Sequence, residues 1–397
     1  MANLPQEMVM EILLWLPVKS LVRFRCVCKS FCAMIESQSF INSHFRRSSE
    51  NRIHCKLIEL GVHMTDDDDR LKIYGLDFDD DFQAELVLDK LYPSTLYLRF
   101  FSYCNGLVLL FLDKLCIWNP STRQYRMLPA FPLKHIPNLS FALGYDSTVD
   151  DYKVVVIISN KGCGISQVWI FELRLSCWRR IDDFPYVVYD SIDDGGNGDC
   201  FLDGAVHFIC HDAGYGHGDT NIIVAFDVAK ETFSKVRAPV QTEGIPIRLH
   251  ILRQCLSVSV WSLTKRQHVD IYVRKKDGAA FTWTRLYSIT KQQSYAKSFV
   301  PFAEGRVAFS EEGDTVFLSS MGKLLSYDFK EQSFRVITSK HLDIFKEKRL
   351  QEFVNKNANY LDLFSCTETL VSVLGKVHTS RRRKRKKGLE EVRDIFI

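Results

Sequence analysis

CIWNPSTRQYRML, residues 116–128, is an apolar strand ending in an aromatic, a polar turn, and a second aromatic that opens a basic or apolar strand. The arrangement returns in WIFELRLSCWRRI (169–181), VAFDVAKETFSKV (224–236) and LSYDFKEQSFRVI (325–337). The paired aromatics are Trp118 and Tyr125, Phe171 and Trp178, Phe226 and Phe233, and Tyr327 and Phe334, seven residues apart each time. DIYVRKKDGAAFTWTRL (270–286) is a fifth copy, with a longer turn between Tyr272 and Trp283. KIYGLDFDDDF (72–82) is a weaker sixth, with Tyr74 and Phe82. The first aromatics lie 44, 53, 55, 46 and 55 residues apart along the chain.

Each copy predicts a hairpin. Between copies, a glycine after Asn105, Asp203 or Glu304 opens another strand pair and supplies the backbone freedom such turns need. Four strands per repeat of about 50 residues is the pattern of a β-propeller blade. One blade cannot cover both its faces, so blades stack, and closing the ring protects their edges. The fold class is therefore mainly β with a small α module, and six copies predict about six blades, with five or seven as alternatives. After the sixth copy, residues 341–353 read as a short helix. Residues 360–365 and 368–374 read as a last strand pair completing the weak first blade.

The α module is LPQEMVMEILLWLPVKSLVRFRCVCKSFCAMI, residues 4–35. Leu4, Met8, Ile12 and Leu16 recur at spacing four, the stripe of an amphipathic helix. Pro5 suits the first turn, and Pro17 ends the helix because its ring clashes with the preceding turn. A second apolar set follows in Leu21, Phe24, Val27, Cys28, Phe31 and Ile35, with Arg23, Arg25 and Lys29 between them. This is more apolar surface than a module of about 45 residues can hide internally. The helices either pack on the rest of the chain or hold a partner.

Among 397 residues, 46% are hydrophobic and Phe, Tyr and Trp are abundant, which suits a β-rich core. The net charge of +4 is unevenly placed. The last 19 residues carry a net of +5, centred on Arg381, Arg382, Arg383, Lys384, Arg385, Lys386 and Lys387. The body is near neutral, which gives nucleic-acid binding no compositional support. The basic run reads as a nuclear-import candidate, an RNA or acidic-partner contact, or a solvated disordered end. Twelve cysteines without a CxxC pair suggest reduced thiols in a cytoplasmic or nuclear protein. Cys28 and Cys32 suit helix packing. No apolar run approaches the roughly 20 residues of a membrane span. Glu7, Glu11 and Pro17 interrupt any secretory signal.

The acidic stretches 66–69 and 77–81 lack the ligand spacing of a calcium loop. His207, His211 and His217, with Asp212 and Asp219, suggest zinc, but strand alternation through AVHFICHD accounts for them more simply. The glycine runs at 162–164 and 195–198 lack the Lys-Ser/Thr of a phosphate loop. No GxSxG or Cys/His arrangement stands out, so the reading is a non-catalytic chain with no metal or cofactor. Binding sites on such scaffolds sit on loops. The least regular are 132–140, 185–199, 211–221 and 243–248, and Tyr186, Tyr189 and Tyr215 are the target-binding candidates there.

Two resemblances bear on function. LPQEMVMEIL, LPVKSLVRFRCVCKSF and SQSFINSHF resemble the opening, middle and closing helices of the F-box. Trp15 stands where that family usually has a basic residue, and Phe31 where it usually has tryptophan. NGLVLLFLDKLCIWNPSTRQYRMLP, FALGYDSTVDDYKVV and the WTRLYSI segment resemble the F-box-associated, kelch-like region of plant F-box proteins. The implied domains are an F-box at 1–47, a linker at 48–52, a propeller at 53–378 and a basic tail at 379–397.

The resemblance implies a substrate-recognition subunit of a Skp–cullin–F-box ubiquitin ligase. Leu4, Pro5, Met8, Ile12, Leu16, Pro17, Leu21, Phe24, Val27 and Phe31 match the family's apolar pattern for docking the Skp-family adaptor. Cullin would follow through that adaptor, and the propeller would capture an unknown target protein. The alternatives are a non-proteolytic scaffold, a propeller enzyme or a sugar- or hormone-binding site, and a receptor for a secreted ribonuclease of the plant pollen-compatibility type.

Overall fold

The computed structural model describes residues 4–51, 55–64, 69–77, 84–91, 98–112, 114–132, 139–160, 165–188, 200–211, 221–240, 247–262, 268–278, 280–290, 307–310, 312–320, 323–337 and 362–373. The expected helix at 341–353, the aromatic Phe82 and the basic run 381–387 lie outside them.

Four helices open the chain: α1 (Gln6–Leu13), α2 (Val18–Phe24), α3 (Lys29–Ile35) and α4 (Gln38–Glu50). Pro17 sits at the N-cap of α2. The Cys28 Sγ accepts the Phe31 N–H at the start of α3, and the Ser37 Oγ accepts the Phe40 N–H at the start of α4. Three of these helices are only seven or eight residues long, too short to persist without tertiary packing. Their shared core is Leu13, Leu14, Val18, Leu21, Ile35, Phe40 and Ile41. His44 is buried with them and its Nε2 lies 2.9 Å from the Leu16 carbonyl. Residues 48–50, expected as linker, are instead the last turn of α4, and Ser48 is fully buried.

The described strands form five four-stranded antiparallel sheets and a sixth of five strands. The aromatic pairs lie directly opposite each other in their hairpins: Trp118 and Tyr125, Phe171 and Trp178, Phe226 and Phe233, Tyr327 and Phe334. Three of these pairs bring their ring centroids to 4.6–5.0 Å, a packing that adds to simple burial. The turns share one construction. Arg123, Ser176, Glu231 and Gln332 each take positive φ, five residues after the first aromatic. In three of the four, the carboxamide or carboxylate after that aromatic (Asn119, Asp227 or Asp328) accepts two backbone N–H groups of the turn.

The two longer or weaker copies depart from this pairing. In the fifth, the turn between Asp277 and Ala280 sets a register that places Trp283 opposite Arg274, and Tyr272 opposite Arg285. In the weak copy, Tyr74 faces Leu86. Asn105-Gly106 and Asp203-Gly204 both adopt positive φ through both residues, the backbone of a two-residue hairpin turn.

Blade 1 is built from both ends of the chain. Asp362–Thr367 forms its first strand and pairs antiparallel with Cys55–Met64, followed by Asp69–Asp77 and Ala84–Leu91. The expected second C-terminal strand at 368–374 is not formed. Residues 368–373 instead run as a strap between the helices and the propeller. Val18 N–H, at the start of α2, donates to the Glu368 carboxylate at 2.8 Å. Asn119 Nδ2 donates to the carbonyls of Thr369 (3.0 Å) and Val371 (2.8 Å). Leu370 is buried in the helical core, Val373 in the core of the neighbouring blades, and Val371 packs against both.

Gly106 closes on this strap. Its φ is +81°, and a Cβ there would stand 2.3 Å from Thr369 Cγ2 and 2.9 Å from the Thr367 carbonyl oxygen. Gly106→Ala should therefore cost more than the about 1–2 kcal/mol of a left-handed backbone alone. A urea denaturation series of wild type and variant checks this. Equal midpoints would show that the turn and strap tolerate the methyl group.

Candidate functional site

The docking residues expected from sequence divide into three groups. Leu4, Pro5, Met8, Ile12, Phe24 and Val27 are exposed, with Leu4 at 57%, Met8 at 52%, Ile12 at 53% and Val27 at 64%. Leu21 is fully buried in the helical core, where Leu16 and Phe31 also pack, both half-buried. Pro17 is half-buried at the start of α2.

The stripe at spacing four is thus not the internal seam of the module. Met8 and Ile12 turn outward from α1, while Leu13 and Leu14 fill the core. Large exposed apolar side chains grouped on one small module mark an interaction surface. Leu16 and Pro17 serve the module's own fold and are poor probes of docking. Trp15 extends the exposed apolar surface at 52% exposure, and the Arg47 guanidinium lies 4.8 Å from its ring. Arg47 also pairs with Glu11 at 2.8 Å, tying α4 to α1. Periodicity singled out neither Trp15 nor Met10, which is 38% exposed. Phe31 keeps an aromatic contact with Phe24, centroids 6.5 Å apart.

On the propeller, Tyr186 is half-buried rather than displayed on a loop. Its ring meets Phe184 edge-on at 5.2 Å, the Lys235 ammonium lies 4.8 Å above it, and its carbonyl accepts the Ser166 hydroxyl at 2.6 Å. Tyr189 and Tyr215 lie outside the described residues. His207 is buried with its Nδ1 3.3 Å from the Cys200 carbonyl, and burial lowers its pKa. It sits in a strand as the alternation predicted; Asp212, His217 and Asp219 lie outside the described residues. No group of three or more His, Cys, Asp or Glu suited to a metal occurs among the described residues. Nor is any described helix long and apolar enough to cross a membrane.

A charge cluster among the described propeller residues ties two blades together. Lys153, 6% exposed, donates to Asp146 Oδ2, Glu231 Oε1 and the Val228 carbonyl, each at 2.9 Å. Arg179 bridges Glu231 and Glu172. Burial alone would raise the Asp146 carboxyl, but hydrogen bonds from Thr148 and Lys153 outweigh it and hold the pKa below the ordinary carboxylate range. Glu231 is held low in the same way by Arg179 and Lys153. Every charge here has a partner, and the Lys153 ammonium spends its three donors on two carboxylates and a carbonyl.

Lowered carboxyl pKa values mean that the cluster stabilises the fold above the unfolded carboxylate range, about pH 4. That stabilisation is lost as pH falls through the lowered folded values. Lys153→Ala leaves the buried Asp146 carboxylate without its cation, while the half-buried Glu231 keeps Arg179, and should cost about 3 kcal/mol. Thermal melts from pH 8 to pH 3 check both statements. A variant that melts with the wild type at pH 7 would show that the cluster contributes nothing.

The F-box domain model matches residues 1–43, and the F-box associated beta propeller domain model matches residues 70–373. The F-box protein CPR1 of Arabidopsis thaliana is 30% identical over 329 residues, covering 75% of this chain and 76% of that protein. An F-box/kelch-repeat protein of the same plant is 28% identical over 301 residues, covering 72% and 79%. A further Arabidopsis sequence, described as a putative F-box protein, is 26% identical over 377 residues, covering 92% and 97%.

Proposed function

Since this chain belongs to the F-box proteins that carry an F-box-associated β-propeller, we propose that it is the substrate-recognition subunit of a Skp–cullin–F-box ubiquitin ligase. The observation that carries the reading is the exposure of Met8 and Ile12 on α1 and Phe24 on α2, with Leu4 just before α1 and Val27 just after α2, in a module whose core is filled by other side chains. A Skp-family adaptor offering an apolar groove would cover them. Each large side chain removed from water contributes about 1.5–3 kcal/mol before the cost of association. Cullin joins through the adaptor. The chain itself acts by proximity, holding a target lysine near the charged conjugating enzyme, and contributes no covalent step.

The blade topology supports a division of labour between the two faces of the propeller. Gly106 meets the strap at one hairpin turn, and Gln254 donates to the Ser49 carbonyl of α4 at another. These turns join the first and second strands of their blades. Strands alternate in direction, so the ends that lead from blade to blade leave from the opposite face. The blade-to-blade connections 132–140, 185–199 and 243–248 depart from that face, and so does 211–221, which joins the second and third strands of one blade. The target protein is read there, away from the adaptor. The cysteine usage and the basic run 381–387 support residence in the cytoplasm and nucleus.

Affinity purification of the full chain after proteasome inhibition tests the proposal: adaptor and cullin should co-purify. Met8→Glu with Ile12→Glu should abolish their recovery and leave the propeller's thermal transition unchanged. Both positions are exposed, so loss of recovery reports docking rather than unfolding. Undiminished recovery with the double variant would overturn the docking assignment. Absence of adaptor and cullin from the wild-type preparation would overturn the ligase reading. A fluorescent fusion lacking 381–387 should leave the nucleus, and unchanged nuclear signal would remove the import role of the run.

A further inference from the structure

The four helices are held together partly by residues more than 300 positions away. Glu368 is 6% exposed and its carboxylate accepts the Val18 N–H that opens α2. Its other oxygen lies 3.7 Å from Lys56 Nζ, in the strand Cys55–Met64 of blade 1. Leu370, 7% exposed, completes the core formed by Leu13, Leu14, Val18, Leu21, Ile35, Phe40 and Ile41. From the propeller side, Asn119 clasps the same strap through two backbone carbonyls, while its Oδ1 holds its own turn. A helical module of this size is marginal alone, and α2 begins at Pro17, without a side-chain cap of its own.

We infer that residues 368–373 are a working part of the docking module, so that the helices hold the adaptor-ready arrangement only on a closed propeller. Glu368 and Leu370 are positioning residues: they fix α2, which carries Phe24 and leads to Val27. The strap follows directly on the strand Asp362–Thr367 that closes blade 1. A chain whose ring is open cannot deliver Glu368 and Leu370 to the helices. Docking then has to supply the ordering that the strap would have supplied, and the apparent affinity falls by the fraction of chains already ordered. This inference rests on the docking proposal above.

Two readouts on the full-length chain separate the ideas. The first is amide hydrogen exchange of α1–α4 in the free protein, which requires no adaptor. The second is a calorimetric titration with a purified Skp-family adaptor. Glu368→Ala should accelerate exchange in α2 about tenfold or more, the loss expected for a buried hydrogen bond to a charged group. It should weaken adaptor binding while the propeller's melting transition stays in place. Glu368→Gln retains a carbonyl oxygen for the Val18 N–H and should recover most of the binding. Asn119→Asp keeps the turn acceptor but loses both donors to the strap. It alters no residue of the helical core, and it should reproduce the exchange and binding defects from the propeller side. Unchanged exchange in α1–α4 for both Glu368→Ala and Asn119→Asp would overturn the inference. So would wild-type adaptor affinity in both. If the wild-type chain fails to bind the adaptor while exchange responds as expected, the coupling stands and the docking proposal falls.

Discussion

The hydrogen bond from Val18 N–H to Glu368 joins an element from the first twentieth of the chain to one near its end, and it is buried. Around it, three packing problems are solved together. The helices lack the area for a core of their own, and Leu370 supplies some. Blade 1 lacks a first strand, and Asp362–Thr367 supplies it. The strap that carries Leu370 needs partners for its own carbonyls, and Asn119 supplies them at Thr369 and Val371. Buried polar groups left without partners cost more than their hydrogen bonds return, so each solution depends on the others being in place. The close approach of Gly106 belongs to the same arrangement: a side chain there would stand where the strap passes.

The helical module turns apolar side chains in two directions. Leu13, Leu14, Val18 and Leu21 face inward, with the strap closing one side, and Leu4, Met8, Ile12 and Val27 face outward. A module that satisfied all its apolar surface internally would have nothing to offer a partner. One that satisfied none would not hold a shape for the partner to recognise. Attachment to a large rigid ring lets the helices leave one face uncovered.

Local signals in the sequence translated into structure where the physics is local. The aromatic spacing of seven became cross-strand pairs because a fixed turn, with one left-handed residue five positions after the first aromatic, sets the register. Asn105-Gly106 became a hairpin for the same reason. Tyr272 and Trp283 failed to pair because the tight turn between Asp277 and Ala280 sets a register two residues away from the one that would match them. Among the ten docking candidates, periodicity could group apolar residues but could not say which side was occupied. Leu21 is buried, and Leu16 and Phe31 are half-buried, against a core that draws Phe40 and Ile41 from α4 and Leu370 from the strap, and spacing within α1–α3 does not record those neighbours. The strap itself reads as an ordinary strand in ETLVSV. Its diversion away from the sheet follows from contacts with Val18 and Asn119, hundreds of residues earlier.

Blade 1 also orders events during synthesis. Cys55 lies opposite Thr367 in the finished sheet, so the strand Cys55–Met64 leaves the ribosome long before its inner neighbour exists. Contacts of such long range form late and slowly. Until then the nascent chain carries an open sheet edge and a helical module short of part of its core, both exposed to unwanted association. Completion of the ring is thus a timed event in the life of each molecule, and the cell's folding machinery must shield the N-terminal third until the last strand arrives.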